Sequence, residues 1–336
     1  MGGRARLSRL ATVNRGCDDG AAARGDAGNI SSIAQLPRYQ PARKPGVGGG
    51  GLHAGDGARR GVERRVQYLC PCRRRQGVRL YNSATRRKER FQPVGDPVRL
   101  YACGPTVYAP AHLGHAKSYV AVDVLRRWLE YRGHAVRHAQ NFTDIADETA
   151  QVAVRDAVDE AELTVRYETE FLVQMDALGN LRPHVLPRAS EVAEEIGVLA
   201  ARLLAEGSAY ESEGGIWLSV DPGQHGALLG TEISAALCEP ASAVDSGPKR
   251  GPFDFMLWGP PLSGGRSWSP GGIPPGRPGW HLECTLMASR DPGLPLDIHF
   301  GGADLAYPHH ESELLLADAL GIWEWANTVA PGCITG

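Results

Sequence analysis

The 336-residue sequence predicts an α/β protein, in which a parallel nucleotide-binding sheet is split by an α+β insertion and preceded by a disordered extension. Three observations support this fold class. A β-like run, Val98–Ala102, ends at a Cys-Gly-Pro sequence and gives way to a helical pattern after Pro110. A second β-like run, 135–142, begins just after Gly133, a glycine that suits a helix end. The stretch 151–250 then changes to helical and hairpin patterns before the α/β pattern resumes.

The stretch from Val98 to Thr149 organises this prediction. Its sequence His112-Leu-Gly-His115 opens a helical pattern that continues through Leu129. At a helix start, unpaired backbone N–H groups and the helix dipole favour a phosphate. The glycine between the histidines lets a ligand approach the backbone closely. Two imidazoles beside a polyphosphate can donate hydrogen bonds to charge that develops as a pyrophosphate leaves. We therefore predict a nucleotide site at the carboxyl ends of parallel strands.

The middle of the chain, 151–250, predicts the insertion. Gln151–Leu178 has an amphipathic helical pattern, and 179–187 is a link punctuated by prolines. A second helix is predicted over Ser190–Glu206, with acidic residues in its first turn and a glycine after its end. Tyr210–Val220 predicts a hairpin around a Gly-Gly pair.

The last part of the chain, 251–336, predicts the second half of the nucleotide-binding fold. Its expected elements, in order, are an apolar run at Phe253–Trp258, a Gly/Pro-rich loop at 260–278, a short helix at Trp280–Arg290, a strand at Leu296–Phe300 and a helix from Pro308 through Leu320. Proline suits the first turn of that last helix.

The composition excludes several classes of protein. Hydrophobic content of 42% with 22% charged residues is typical of a soluble globular protein. No run of about eighteen apolar residues occurs, so no transmembrane helix is predicted. The N-terminus has no apolar core ahead of a cleavage site, which argues against a secretory signal. Seven cysteines in a chain of this length do not make a disulfide framework, so we expect a reducing, cytoplasmic location.

Residues 1–75 differ sharply from the rest. They carry fifteen Lys and Arg against five Asp and Glu, a net charge of +10, so the remainder must carry −12 for the whole chain to reach −2. Such a Gly-rich, basic stretch cannot bury enough apolar surface to order itself, and we predict that it is disordered. It is either a basic arm that gathers RNA phosphates or, as we favour, a non-native extension. Cys70-Pro-Cys72 is too tightly spaced for a zinc knuckle.

An ordered set of motifs adds to the prediction of a nucleotide-binding fold. It comprises Leu80-Tyr-Asn-Ser, Cys103-Gly-Pro-Thr-Val-Tyr108, His112-Leu-Gly-His115, Asn141-Phe-Thr-Asp-Ile145, Gly279-Trp-His-Leu-Glu-Cys284, Asp297-Ile-His299, Gly301-Gly-Ala-Asp304 and Pro308-His-His-Glu-Ser-Glu313. The HxGH element resembles the HIGH signature of class I aminoacyl-tRNA synthetases, and the set as a whole resembles the cysteinyl-tRNA synthetases from about Leu80 to Gly336. An isolated HxGH is a weak signal, whereas the ordered set is a strong one.

The resemblance implies a Rossmann-like class I synthetase fold. Its expected parts are a disordered extension (1–75), the first half of the catalytic domain (76–150), an insertion (151–250) and the second half (251–336). It implies ATP-dependent activation of L-cysteine to cysteinyl-adenylate and transfer to tRNA(Cys), with Zn²⁺, ATP and Mg²⁺ as cofactors. A monomer without a membrane partner is expected.

The resemblance also implies four zinc ligands, which are Cys103, Cys284, His309 and Glu313. Part of the case is physical, since His309 and Glu313 are four residues apart on a predicted helix and share one face. Two thiolates, an imidazole and a carboxylate suit Zn²⁺. The metal is expected to take the substrate thiolate directly, which serine cannot imitate. Because a thiolate binds, cysteine affinity should fall at low pH.

The remaining site residues follow from the resemblance residue by residue. Those expected at the amino acid are Gly104, Thr106, Trp280, His299 and Asp304, and those expected at ATP are His112, Gly114, His115, Gly302 and Asp304. His112 and His115 are the candidate catalytic residues, and a structural role for His299 is equally expected. Asn141 and Asp144 either line the cleft or cap the following helix.

The sequence departs from the family pattern in several places. The lysine-bearing KMSKS loop and a helical anticodon-reading bundle should follow the last matched helix, and the sequence stops before both. Loss of a lysine that stabilises transition-state phosphates should cost several kcal/mol. Ala109 stands where an acid is usual, Ala146 interrupts an acidic run, and Phe300 stands where glycine is usual. Phe300 is expected to crowd the ribose site.

Two alternatives remain beside a cysteinyl-tRNA synthetase. One is a tRNA-independent ligase that joins activated cysteine to a small amine, as in mycothiol synthesis. That relative typically has Ile-Thr-Pro where this chain has Pro105-Thr106-Val107, which favours the synthetase. The other is an inactive, truncated remnant that still binds zinc.

Overall fold

The structure is a computed structural model, and it describes residues 77–221, 223, 226–228, 247–322 and 329–331. The predictions for the basic extension and for Cys70-Pro-Cys72 lie outside these residues, as does most of the loop at 221–250. Among the described residues, no helix combines the length and apolar character that a membrane crossing needs.

The described strands are β1 (Arg79–Asn82), β2 (Arg87–Arg90), β3 (Val98–Ala102), β4 (Val136–Gln140), β5 (Ala209–Ser212), β6 (Gly215–Leu218), β7 (Phe255–Gly259), β8 (Arg277–Pro278), β9 (Ile298–Gly301) and β10 (Val329–Pro331). The described α-helices are α1 (Leu113–Tyr131), α2 (Asp147–Asp156), α3 (Glu160–Ala177), α4 (Ala193–Ala205), α5 (Trp280–Ala288) and α6 (His309–Ala319).

The site is built on a parallel sheet with the order β10–β9–β3–β4. Its two central strands are almost wholly buried, and Leu100 pairs with Ile298 at its centre. Burial on both faces explains the near-continuous apolar run of β3, because parallel sheets are covered on each side. The predicted strand, helix and parallel strand are thus confirmed, and the carboxyl ends of β3, β4 and β9 share one edge.

A second, antiparallel sheet has the order β5–β6–β7–β8. The predicted hairpin is confirmed, and its turn residues Glu213 and Gly214 have φ values of 43° and 80°, as a type I′ turn requires. The apolar run at 253–258 forms β7, which pairs with this hairpin and not with the parallel sheet. Trp217 and Trp258 are fully buried. The division of domains at residue 250 stays a prediction.

The single helix predicted over Gln151–Leu178 is wrong, since α2 and α3 are separate helices. Ala157 adopts a left-handed φ of 54° after α2. Asp159 then caps α3 by accepting hydrogen bonds from the backbone N–H groups of Ala161 and Glu162. The apolar periodicity continues across the break, so the period alone could not reveal it. The second helix of the insertion begins as a 3₁₀ turn, Ala189–Glu191, before α4.

Candidate active site and metal centre

The four predicted metal ligands converge at the carboxyl edge of the parallel sheet. Cys103 follows β3 directly, Cys284 lies in α5, and His309 and Glu313 lie on one face of α6. One ligand atom from each lies within 4.8 Å of the others, and all four residues are buried. Residues far apart in the sequence therefore form one compact cluster.

A second set of four shares two members with the first. Cys103, His299, His310 and Glu313 also offer ligand atoms within 4.8 Å of one another. The Cys103 Sγ lies 3.4 Å from His310 Nε2 and 3.7 Å from His299 Nε2. His299 Nε2 lies 2.7 Å from Glu313 Oε2. The first set offers two sulfur atoms and the second offers one, and both contain the nitrogen and oxygen donors that zinc accepts.

Two aromatic neighbours hold the His309 ring. Its Nδ1 lies 2.9 Å from His281 Nδ1, and its ring stacks on Trp280 with centroids 4.4 Å apart. Its Nε2 lies 3.7 Å from Glu313 Oε1. A hydrogen bond at one ring nitrogen commonly orients the other toward a metal. Trp280 was predicted at the amino acid, whereas His281 was given no role although it lies in the same motif.

Burial decides the protonation of this cluster. Burial raises the pKa of the Cys103 thiol well above its usual range, and a hydrogen bond with Cys284 raises it further. Burial also raises the pKa of Glu313 to about 7, against the opposing influence of His310 and His281. The pKa values of His299 and His310 are lowered to about 3, chiefly by burial. The protein alone therefore holds a neutral thiol at Cys103 and neutral imidazoles at His299 and His310.

A divalent cation would reverse this balance. It would favour thiolates and a carboxylate, and its binding would release protons. Glu313 Oε1 is buried and has no hydrogen-bond partner among the described residues. An orphaned carboxylate oxygen beside two thiols and an imidazole fits a divalent metal of the zinc type. The residues present therefore suit the group that the sequence predicts.

The two histidines of the HxGH element cap α1. His112 Nδ1 accepts a hydrogen bond from Gly114 N at 3.0 Å, and His115 Nδ1 accepts one from His112 N at 3.2 Å. Their rings stack with centroids 4.0 Å apart. A Cβ on Gly114 would lie 2.7 Å from the His112 ring. The glycine was predicted to leave the backbone open to a ligand, and in this structure the ring of His112 occupies that approach.

The capping histidines adjoin the rest of the site. The His115 ring stacks on Tyr119, whose hydroxyl donates to the Cys103 carbonyl at 3.2 Å. Burial lowers the pKa of His115, and so does His112, while the charge of Asp304 raises it. Tyr119 therefore links the predicted ATP residues to the candidate metal cluster, and Asp304 lies within electrostatic range of His115.

The loop after β3 is fixed against the loop after β4. Gly104 N donates to Asn141 Oδ1 at 2.7 Å, and a Cβ on Gly104 would lie 1.5 Å from the Asn141 carbonyl oxygen. Only glycine permits so close an approach. Thr106 forms a parallel bridge with Thr143. Asn141 thus positions Gly104, and the Thr143 backbone positions Thr106; both residues were predicted to border the substrate.

The suggestion that Asn141 or Asp144 caps the following helix is wrong. The Thr149 hydroxyl accepts from Ala146 N at the start of α2, at 2.8 Å. Asp144 instead accepts hydrogen bonds from Ser190 N at 2.9 Å and from Arg266 at 3.2 Å. The side chain that bonds the backbone at the start of α2 is therefore that of Thr149. The Asp144 carboxylate is used in a tertiary contact instead.

The other predicted residues lie around the same edge. His299 is fully buried and stacks on Tyr101 with centroids 5.6 Å apart. Phe300 is buried in β9, and its carbonyl accepts from Cys103 N. Asp304 is exposed on the turn Ala303–Ala306, where a Cβ on Gly302 would lie 2.3 Å from its Oδ1. Gly302 therefore makes room for the Asp304 carboxylate.

One buried acid in α6, the helix that carries the candidate ligands His309 and Glu313, was not predicted. Glu311 is only 1% exposed, and its Oε1 accepts from Gly226 N at 2.7 Å and Ala227 N at 2.8 Å. Its Oε2 accepts from Leu228 N at 2.9 Å. The carboxylate therefore ties a loop that follows β6 to the helix that carries His309 and Glu313. The only sequence signal was an acid between two candidate ligands, on a different face of the helix.

Comparison with known proteins identifies the family to which the chain is similar. Residues 90–329 match the family model of the tRNA synthetases class I (C) catalytic domain. The chain is 40% identical over 257 residues to a cysteine–tRNA ligase of Pyrococcus horikoshii, which covers 74% of this chain and 52% of that protein. It is 42% identical over 248 residues to a cysteine–tRNA ligase of Synechococcus sp., covering 72% and 49% respectively. The chain thus spans about half the length of the curated relatives it matches.

A solved structure supports the fold. The chain resembles Mycobacterium tuberculosis methionyl-tRNA synthetase in complex with methionyl-adenylate, with a TM-score of 0.51 and 14% identity. The likeness covers 70% of this chain and 57% of that one. At this identity it concerns the arrangement of helices and strands alone.

Proposed function

The chain belongs to the class I (C) tRNA synthetase catalytic-domain family, and we propose that it activates L-cysteine with ATP and transfers it to tRNA(Cys). One observation carries the choice of amino acid. Two thiols, an imidazole and a carboxylate form a buried cluster at the edge where a parallel sheet binds its ligands. Relatives with about 40% identity bear the name cysteine–tRNA ligase.

We propose that Cys103, Cys284, His309 and Glu313 hold Zn²⁺ and thereby select cysteine. When bound, zinc offers a coordination position that a thiolate fills far better than a hydroxyl does. A pocket that judged shape alone would separate such similar substrates by only about 1–3 kcal/mol. Burial keeps water from the cluster, and the stacking of Trp280 on His309 fixes the imidazole.

The start of α1 is the proposed ATP phosphate site. Because Nδ1 of His112 and of His115 accepts a backbone N–H, each neutral ring carries its proton on Nε2. Both rings then present an Nε2–H donor to phosphate oxygens. The lowered pKa of His115, caused chiefly by burial, favours this neutral form. These donors would stabilise charge on the leaving pyrophosphate, with Mg²⁺ accompanying the nucleotide.

Cysteine-dependent ATP–pyrophosphate exchange tests the first half of this proposal. We expect exchange with cysteine and none with serine. Equal exchange with both would contradict metal-based selection, and no exchange would favour the inactive remnant. Charging of tRNA(Cys) compared with that of small amines tests the second half. A product formed only with small amines would support the tRNA-independent ligase instead.

A further inference from the structure

The hairpin of β1 and β2 gathers positive charge on one face. Its register places Arg79 opposite Arg90 and Tyr81 opposite Lys88. Alternate residues of a strand share a face, so these four side chains project from the same side. All four are exposed. The opposite face carries Leu80 and Asn82, which are partly or fully buried. We call Arg79, Tyr81, Lys88 and Arg90 the hairpin face.

The hairpin face lacks counter-charges. Two arginines directly opposite each other on an antiparallel pair destabilise it. Within the part of the chain that the structure describes, Arg79, Lys88 and Arg90 have no carboxylate ion-pair partner. Arg79 donates instead to the Lys88 carbonyl at 2.8 Å. The one acid of β2, Glu89, lies on the other face and accepts from Asn82.

Three arginines at the surface elsewhere in the described part of the chain are neutralised locally. Arg155 pairs with Asp156, Arg182 with Asp176 and Arg202 with Glu206. Arg86, Arg87 and Arg166 are also exposed without a carboxylate partner among the described residues, so the hairpin face is distinguished by the grouping of its cations on one side of the hairpin. The hairpin face keeps three unpaired cations together, which is the arrangement expected where the counter-charge belongs to a partner.

Tyr81 identifies the partner as a nucleic acid. Its side chain is 41% exposed and lies directly across from Lys88. An acidic protein surface would need the cations but not an exposed ring. Single-stranded or looped RNA uses both, because phosphates pair with Arg and Lys while unstacked bases stack on aromatic rings. Arginine also contacts phosphate with two parallel hydrogen bonds.

We propose that the hairpin face is an RNA-binding surface that contacts tRNA outside the catalytic cluster. This rests on the proposed function for the identity of the RNA. β1 lies beside β10, the edge strand of the parallel sheet whose carboxyl ends carry the candidate active site. The hairpin is therefore a direct neighbour of the sheet that carries the candidate active site.

Salt dependence of RNA binding tests the proposal in the full chain. The variant Arg79→Gln/Lys88→Gln/Arg90→Gln is compared with wild type for binding of a tRNA(Cys) transcript between about 50 and 200 mM salt. The slope of log affinity against log salt should become less steep by about 2, since each lost phosphate contact removes about 0.7–0.9. Lys88→Gln alone should remove about 0.7–0.9. The basic extension at 1–75 is the same in all variants, so its contribution to the salt slope cancels in the comparison.

The matched control is Arg155→Gln/Arg182→Gln/Arg202→Gln, which removes the same charge from ion-paired positions. Its slope should equal that of wild type. Tyr81→Ala should weaken binding roughly five- to a hundred-fold, and Tyr81→Phe should restore it. Equal slopes for wild type and the hairpin variant, or equal losses in the control, would overturn the proposal. Cysteine-dependent exchange should persist in every variant, so its absence from wild type would refute the proposed function alone.

Discussion

Glu160 and Glu313 are both almost completely buried, yet their surroundings differ in kind. Arg277 donates to both oxygens of Glu160, at 2.8 and 3.2 Å, and Thr149 and the backbone N–H of Arg266 donate as well. Burial favours a raised pKa for Glu160, but these donors outweigh it and the pKa is lowered. Glu313 receives no arginine or backbone donor among the described residues; only the His299 ring lies at hydrogen-bond distance, 2.7 Å from its Oε2, and burial raises the pKa of Glu313 to about 7.

The comparison distinguishes a buried acid that stabilises the fold from one that is a candidate metal ligand. The Glu160 cluster satisfies its own charges and joins α3 to the loop before β8. The Glu313 cluster leaves its charge balance unfinished, which is expected where an ion completes it. Burial alone therefore does not mark the site. The difference lies in whether the protein supplies the compensating charge.

The largest effect should come from breaking the satisfied cluster. Arg277→Met leaves the buried Glu160 with only the more distant Arg266 guanidinium, whose Nε lies 3.5 Å away, and the free energy of unfolding should fall by about 3–5 kcal/mol. Chemical denaturation at pH 7 measures it. The double variant Glu160→Gln/Arg277→Met removes both charges and should recover much of that loss. A single variant as stable as wild type would contradict the assigned role of the pair.

The Glu313 cluster should respond weakly to loss of its acid when no metal is present and strongly when zinc is present. Glu313→Gln should change the metal-free unfolding free energy by no more than about 1 kcal/mol, because its one contact at hydrogen-bond distance is with the His299 ring and no arginine or lysine pairs with it. Zinc at about a thousand times its Kd should stabilise wild type by about 4 kcal/mol. The variant should lose most of that gain. Thermal melts with chelator and with zinc decide this, and a zinc response that survives in the variant would count against Glu313 as a ligand.

A smaller effect is expected at the loop contact of Glu311. Glu311→Gln keeps one acceptor but sets an amide NH₂ against the N–H of Leu228, which should cost about 1–3 kcal/mol. If the contact positions α6, the KM for cysteine in exchange should rise more than the KM for ATP. Equal changes in both would indicate a purely structural role.

The smallest effect concerns His138, whose buried ring nitrogens have no hydrogen-bond partner among the described residues. Burial chiefly lowers its pKa to about 3. Between pH 6.5 and 3 the unfolded chain binds a proton there and the folded chain does not, so stability falls as the pH falls. Between pH 7 and 5.5 His138→Gln should lose less stability than wild type, by on the order of 1 kcal/mol. Identical pH profiles would refute this account of His138.

Much of the fold could be predicted from short-range patterns in the sequence. The strand Val98–Ala102, the helix opened by His112 and the Gly-Gly hairpin follow from short-range patterns, and the structure confirms them. The four candidate ligands were found because their motifs resemble a family. That their atoms meet depends on pairing between β3 and β9, which lie far apart in the sequence.

Other features depend on tertiary contacts that no local pattern encodes. The apolar run at 253–258 suits either sheet, and only pairing with β6 decides between them. Glu311 is recognisable only once the loop at 226–228 folds against it. The contact of His281 with His309 forms only in the folded site, and the charge of the hairpin face becomes evident only when the register places Arg79 opposite Arg90.

X-ray absorption at the zinc edge tests the central claim most directly. The account predicts two sulfur neighbours at about 2.3 Å in the purified chain, from Cys103 and Cys284, and a third when cysteine is added. Serine should leave the count at two. A chain that binds no zinc, a single protein sulfur, or a count that cysteine does not change would contradict it.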